Sequence, residues 1–500
     1  MSQINIGWSE VSIVPEKGRK VNVVGQFYER ITDEVYDPIS VTALAIECGT
    51  ESVIFCSCDL VGVSNILLTA VREHLKEVRP DVPGESIVLN AIHTHTSFGY
   101  GKRSDYPEGM SGGFKGLITN LFPDIAYEDL VSYDGPDLFD GEEAFDFLVD
   151  RISKAVTEAW DRRAEGMYAT GFGRAAVGLC RRVCYDDGSA KMWGDTNFAN
   201  FETLEAGNDS GIELLFTYTP DKKLTGVIAN VACPAQVLEH HSFMSADYWG
   251  GVKANLRAEF GEDLFVLGLC SAAGDQCPRD MIRWVNPEKP INDPNITRDV
   301  VIPRDADPSM FDPAGCKRVA RRISTEILYA LEDVSQYVSD TKLVHETIHL
   351  NVPLRRVTIQ DRDEAMKAIV AFGESKRGQT LSFKDSAMMH IHAGTLARYE
   401  LQQKMDTIEN EIHVLRLGDI AFATNPYELF LDYGNKIRAR SPARQTFLIQ
   451  LCCGGLGYLP TEKAEKGSHY SAYVSSGVTG HEGGDLLVRT TLTKLRNMWK

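Results

Sequence analysis

Ile87-Val88-Leu89-Asn90-Ala91-Ile92-His93-Thr94-His95-Thr96-Ser97-Phe98-Gly99-Tyr100-Gly101 is the stretch on which the reading of this chain turns. Its apolar first half has the pattern of a buried strand. Its polar end carries two imidazoles two residues apart, and the glycines that follow tolerate unusual backbone angles. In an extended chain both rings leave the same face, so one can bind a metal while the other meets substrate. Two neighbouring histidines are a weak sign alone, because loop histidines are usually structural and hydrogen-bonded. The surrounding chain has to strengthen it.

Just upstream, residues 53–59 form a second buried strand ending in Asp59, and residues 65–78 carry apolar residues at helical spacing. Together they make a strand–helix–strand unit with polar residues at strand ends, where ligands lie in open α/β sheets. Downstream, residues 102–141 are rich in Gly, Asp and aromatics without a strong period, the pattern of a lid or binding loop. An amphipathic helix is expected over 142–163. A hairpin follows around the turn Asp186-Asp187-Gly188 and carries Arg181-Arg182. Paired arginines are usually surface charge, whereas an arginine beside a pocket can fork onto a substrate.

Further strands are expected at 212–218 and 224–232, the latter running into Cys233-Pro234, with His240-His241 nearby. The strand at 264–269 leads into Cys270-Ser271-Ala272-Ala273-Gly274-Asp275-Gln276-Cys277. A helix over 316–331, a strand over 343–354 and a charged helical excursion over 361–406 come next. The hairpin 411–416/420–424 then leads into Asn425-Pro426-Tyr427-Glu428, and the strand 447–451 runs toward Tyr458. His469-Tyr470 precede a closing helix. No internal repeat, low-complexity tract or linker is visible. The alternation predicts an α/β fold with mixed β-sheets and flanking helices, in a single domain over 1–500.

The formal charge of −18 opposes binding to nucleic acid or an anionic membrane surface, since either needs a basic face. The N-terminus lacks a basic segment followed by an apolar one, and no run is long enough to span a bilayer, so a cytoplasmic protein is expected. The 11 cysteines are an odd number and include Cys452-Cys453, which speaks against a disulfide framework and for small core residues.

The ends of five apolar strands thus carry His93/His95, Cys233, Asp275/Cys277, Glu428 and Tyr458. With Gly7…Ile13-Val14-Pro15, Asp37-Pro38, Cys58-Asp59-Leu60-Val61-Gly62, Ala273-Gly274-Asp275, Pro426-Tyr427-Glu428, Gly457-Tyr458-Leu459-Pro460-Thr461 and Tyr470, the chain resembles the catalytic N-terminal domain of the neutral ceramidases, a family of zinc amidases. The resemblance covers nearly the whole chain. The family's C-terminal immunoglobulin-like domain has no counterpart in it.

What the resemblance implies is a zinc ion held by His93, Cys233, Glu428 and Tyr458, another divalent metal being an alternative. It also implies His95, Tyr470 and Asp275 in the catalytic machinery, and Arg181 against a substrate hydroxyl. Two positions depart from the family pattern. Cys233 replaces a histidine: a thiolate ligates zinc well, or His240 or His241 swings in, or the metal is lost. Cys277 replaces a serine, as a structural substitute or as a nucleophile. The expected activity is metal-assisted hydrolysis of an amide bond in a small soluble substrate, through a metal-activated water. The alternatives are a cysteine hydrolase using Cys277 with His95 as base, a cytosolic enzyme acting on a carbohydrate-derived substrate, and a non-catalytic binding protein. Oligomeric state is not legible.

Overall fold

The computed structural model describes residues 2–26, 28–101, 114–127, 133–196, 198–283 and 311–500. Its framework is three sheets that repeat one connectivity. In the first, Ser2–Ser12 pairs antiparallel with Ser40–Cys48, which pairs antiparallel with Glu51–Cys58; the helix Asn65–Val78 then crosses over to Ile87–Ala91, parallel to Glu51–Cys58. In the second, Met167–Arg174, Gly211–Tyr218 and Leu224–Val231 run antiparallel, and the helix Tyr248–Phe260 leads to the parallel strand Phe265–Cys270. In the third, Leu343–Pro353, Thr407–Leu417 and Ile420–Thr424 are followed by the helix Leu431–Arg440 and the parallel strand Gln445–Ile449. Each unit closes with a long helix, Gly141–Asp161, Pro313–Glu332 or His481–Met498, packed on its first two strands and on its own crossover helix. This threefold repetition lies in the connectivity alone.

Periodicity explains the individual elements. Gly141–Asp161 buries Ala144, Phe145, Leu148, Ile152, Ala155, Val156 and Ala159 at helical spacing and is capped by Asp140, whose carboxylate accepts from the backbone N–H groups of Glu142 and Glu143. The inner strands are apolar on both faces: Gly211–Tyr218 is buried throughout, because a helix covers one side and another sheet the other. Buried amides stitch the sheets together. Ser57 Oγ donates to Gly268 O at 2.7 Å, and Asn230 Nδ2 donates to Leu448 O at 2.7 Å.

The helices Ile359–Ser375 and Phe383–Lys404 occupy the charged excursion expected over 361–406. Of the excursion expected over 102–141, residues 102–113 and 128–132 lie outside the described residues. The helix Phe114–Leu121 packs Phe114 and Ile118 with Ile369, Met389 and Ala393 of the helical excursion, in a small core of its own. No described helix is long and apolar enough to cross a membrane. Ten of the eleven cysteines are buried, Cys184 being the partly exposed one.

Candidate functional site

Segments that follow the carboxyl ends of strands from all three sheets meet in one cleft. Past Ile87–Ala91 the chain is clamped by backbone hydrogen bonds from Ile92 N to Cys58 O, Thr94 N to Leu60 O and His95 N to Ala235 O. Within this clamp His93 takes a left-handed conformation, φ 68°, uncommon outside glycine and frequent at functional sites. Its Nδ1 lies 2.6 Å from Val61 O, and since a carbonyl only accepts, Nδ1 carries the proton. Its Nε2 faces Glu428 Oε2, 3.4 Å away.

Glu428 follows the third sheet's strand Ile420–Thr424 and lies in a short two-stranded pairing of its own. It pairs in register with Tyr458, whose phenol hydrogen-bonds its carboxylate. The carbonyl of Glu428 lies against Gly274, where a Cβ would come within 2.3 Å of it, so only glycine fits there. Burial acts to raise the Glu428 pKa, but the His93 imidazole, Arg181 and the phenol outweigh it and hold the carboxyl below its usual range. Tyr458 moves the other way: burial and the adjacent carboxylate push its phenol well up.

Arg181 and Arg182 are both buried, against the surface reading of an arginine pair. Adjacent in an extended segment, they serve different regions. Arg181 donates to Gln236 Oε1 at 3.3 Å, Gly274 O at 3.0 Å and the Tyr458 hydroxyl at 3.4 Å, so its donors hold the site together. Arg182 forks onto Glu205 at 2.6 and 3.0 Å and binds the carbonyls of Ala464, Ser468 and Tyr470. That staple fixes a loop whose Ser468, His469 and Ser471 all have positive φ, and sets Tyr470 edge-on to Tyr458 at 5.6 Å between ring centres.

His95 Nε2 lies 3.4 Å from His93 Nε2. Its other nitrogen faces Glu239 Oε2 at 3.4 Å, and that carboxylate oxygen accepts from Gln236 Nε2 at 3.1 Å. Burial first, then His93, Arg30, Arg181 and His240, drive the His95 pKa well down, so the ring is neutral at neutral pH. Gly25 makes room for it, since a Cβ there would lie 2.7 Å from the imidazole. Arg30 braces the wall by donating to the carbonyls of Val24, His95, Glu239 and His241 at 2.6 to 2.9 Å. Sequence reasoning missed Glu239, Gln236 and Arg30. Glu239 was hidden beside the more conspicuous His240-His241.

Asp275 accepts from Leu431 N at 2.9 Å, at the start of the helix that follows Glu428, and its carbonyl accepts from Arg181 N at 3.0 Å. It is a positioning residue. Burial raises its carboxyl to about 6.

Cys233 does not join His93 and Glu428. Its Sγ donates to Val177 O at 3.3 Å and to Pro234 O at 3.5 Å, and burial, then the neighbouring Cys277 and Cys270, push its thiol well up. A thiol is shorter than the imidazole it replaces and is captured by nearby carbonyls. Neither offered substitute fills the gap: His240 Nδ1 lies 3.2 Å from Tyr28 OH, and His241 Nε2 lies 3.1 Å from Phe311 O. Cys277 Sγ donates to Arg279 O at 3.3 Å, and burial pushes this thiol up to about 12, leaving it neutral and unconnected to His95.

The donors suit zinc. Ordinary zinc–nitrogen and zinc–oxygen bonds at a tetrahedral angle place ligand atoms about 3.4 Å apart, which is the His93–Glu428 separation of 3.4 Å. With Tyr458 they would supply three protein ligands, the number found in catalytic rather than structural zinc sites.

No protein-family model and no curated protein matches the sequence. Among the solved structures that match, two cover essentially the whole chain. A neutral ceramidase from Pseudomonas aeruginosa aligns with a TM-score of 0.65 at 13% identity, over 99% of this chain and 75% of its own. The chain has the neutral ceramidase fold. A ceramidase complexed with C2 aligns with the same TM-score at 12% identity, over 100% of this chain and 76% of its own. At such identity the neutral ceramidase fold is what the two chains share, as the sequence motifs implied.

Proposed function

We propose that the cleft is the active site of a zinc-dependent hydrolase that cleaves the amide C–N bond of a small acylated amine. The single observation that carries this reading is the His93 imidazole, fixed by Val61 with its second nitrogen 3.4 Å from the part-buried Glu428 carboxylate. His93, Glu428 and Tyr458 would hold the metal. A zinc ion bound there supplies an acidified water and a Lewis acid for the substrate carbonyl.

The chain's own residues divide the remaining work. The neutral His95, backed by Glu239, accepts a proton at Nε2 and returns it to the leaving nitrogen, as a general base and then acid. Glu239 stabilises the transient imidazolium. The Tyr470 hydroxyl, on a ring edge-on to that of Tyr458, would donate to a developing oxyanion. Arg181 keeps Tyr458 and the Gly274 turn in register, and Asp275 holds the helix that follows Glu428.

The cysteine route has less support. Its nucleophile, Cys277, is a neutral buried thiol bonded to a carbonyl, and its base is not in contact with it.

The test is elemental analysis of protein purified without added metal, with release of amine from N-acylated amino alcohols, amino sugars and sphingoid bases followed before and after chelation. About one cleft zinc and activity lost to chelator and regained with zinc are expected. Activity indifferent to chelator and abolished by thiol alkylation would transfer the chemistry to Cys277. Absence of both turnover and metal would leave a binding protein.

A further inference from the structure

Glu411 and His413 lie two residues apart on the strand Thr407–Leu417 and therefore share a face. The loop after Gln445–Ile449 brings Cys453 to it. Glu411 Oε1 stands 2.9 Å from His413 Nε2, and Cys453 Sγ stands 3.4 Å from the same nitrogen. The three ligand atoms lie within 4.8 Å of one another, the one such set of His, Cys, Asp or Glu among the described residues.

Convergence on one ring nitrogen argues against a Cys–His–Glu relay, in which the carboxylate holds the nitrogen opposite the nucleophile. The opposite nitrogen, Nδ1, is 2.8 Å from His345 Nε2, and His345 Nδ1 is 3.0 Å from Ser52 O. The carbonyl only accepts, so His345 Nδ1 carries a proton. A neutral His345 then accepts at Nε2, and His413 donates from Nδ1. This leaves the Nε2 lone pair of His413 facing a carboxylate and a sulfur. Metal-binding histidines are held in this way, their second nitrogen donating outward. In the metal-free protein a proton on Nε2 fills the convergence, and a cation would displace it.

A second sulfur is at hand. Consecutive side chains normally diverge, but Leu451 and Cys453 take left-handed conformations, φ 51° and 57°, and bring Cys452 Sγ to 3.7 Å from Cys453 Sγ. Tetrahedral zinc with ordinary bond lengths sets S···S at about 3.8 Å, N···S at about 3.6 Å and N···O at about 3.4 Å. The separations found, 3.7, 3.4 and 2.9 Å, need a small expansion on the carboxylate side. Arg72 grips both oxygens of Glu411 at 2.7 Å.

We propose that Glu411, His413 and Cys453 form a buried structural site for a zinc-type cation. Cys453 N donates to Leu89 O and Cys452 N to Asn425 O, so the site would lock together the segments that deliver His93 and Glu428.

Cobalt(II) is the probe, because thiolate ligation gives a sulfur-to-cobalt charge-transfer band in the near ultraviolet. In the full chain carrying His93→Ala and Glu428→Gln, which disables the cleft, about one equivalent of cobalt should bind with that band and release protons. Adding Cys453→Ser should abolish the band and the tight equivalent. No cobalt uptake, uptake without the band, or a band that survives Cys453→Ser would overturn the proposal. If the cleft variant does not fold, wild type and Cys453→Ser are compared directly. A drop of one equivalent with loss of the band supports the site, and equal stoichiometry and spectra refute it.

Discussion

The His93–Glu428 cleft and the Glu411–His413–Cys453 nest are made of the same parts and differ in what surrounds them. Both join an imidazole, fixed through Nδ1, to a carboxylate that faces Nε2. In the cleft the side chains of His93 and Glu428 keep 9% and 15% of their exposure, and the neighbours are a phenol, a neutral histidine and an arginine. In the nest His413 is fully enclosed, and thiols and a bidentate Arg72 fill the remaining directions. The same pair of ligands therefore suits chemistry where one direction is left open, and bracing where every direction is closed.

The contrast can be broken by mutation. The largest expected effect is at the cleft: His93→Ala should lower kcat/KM for amide hydrolysis by about a thousandfold while thermal unfolding changes little. An equal loss of stability would make the cleft a second brace. Glu411→Gln should act in the opposite sense. It leaves the half-enclosed Arg72 without its charge partner and should cost about 2–3 kcal/mol in denaturant titration; an unchanged midpoint would show that solvent already screens the pair. Glu239→Gln should sit between these extremes, reducing kcat about 10- to 100-fold with KM little changed, because it weakens the support of His95 without removing the ring. A rise in KM alone would assign Glu239 to substrate binding.

Asp275→Asn sharpens the comparison through pH. The Asp275 carboxyl is raised from 3.8 to about 6 in the folded protein, so folding favours its protonated form. Its contribution to stability is fully present below the unfolded value and is lost as pH rises through the folded one. The asparagine variant, which can still accept from Leu431 N, should gain on wild type between pH 4 and pH 6, by up to about 3 kcal/mol, and hold that gain above. A difference independent of pH would mean that the carboxyl is solvated. The smallest effect is expected at Cys277→Ser, with kcat/KM within about threefold of wild type. Inactivation there would restore the cysteine route.

Much of the cleft was legible because its polar side chains follow buried strands. Apolar runs ending in His93, Glu428 and Tyr458 marked both the elements and the points at which their chemistry emerges, and motif order tied them to one fold. Cys233 was misplaced because motif position does not report side-chain reach: the thiol stops at Val177 O, where an imidazole would extend further. Arg182 looked like surface charge because its partner, Glu205, and the loop carbonyls it binds arrive from distant parts of the chain. The threefold repetition escaped because it conserves strand pairing and helix placement while the residues differ, as Ser2–Ser12, Met167–Arg174 and Leu343–Pro353 do.

By itself the sequence determined where the strands and helices form and which polar groups stand at their ends, because period and burial are local properties of the chain. Only the tertiary structure decided which of those groups meet. It brought three sheets together so that His93 faces Glu428, turned Cys233 toward a carbonyl, and carried Cys453 to the face shared by His413 and Glu411. Those choices depend on distances across the fold, which no local pattern encodes.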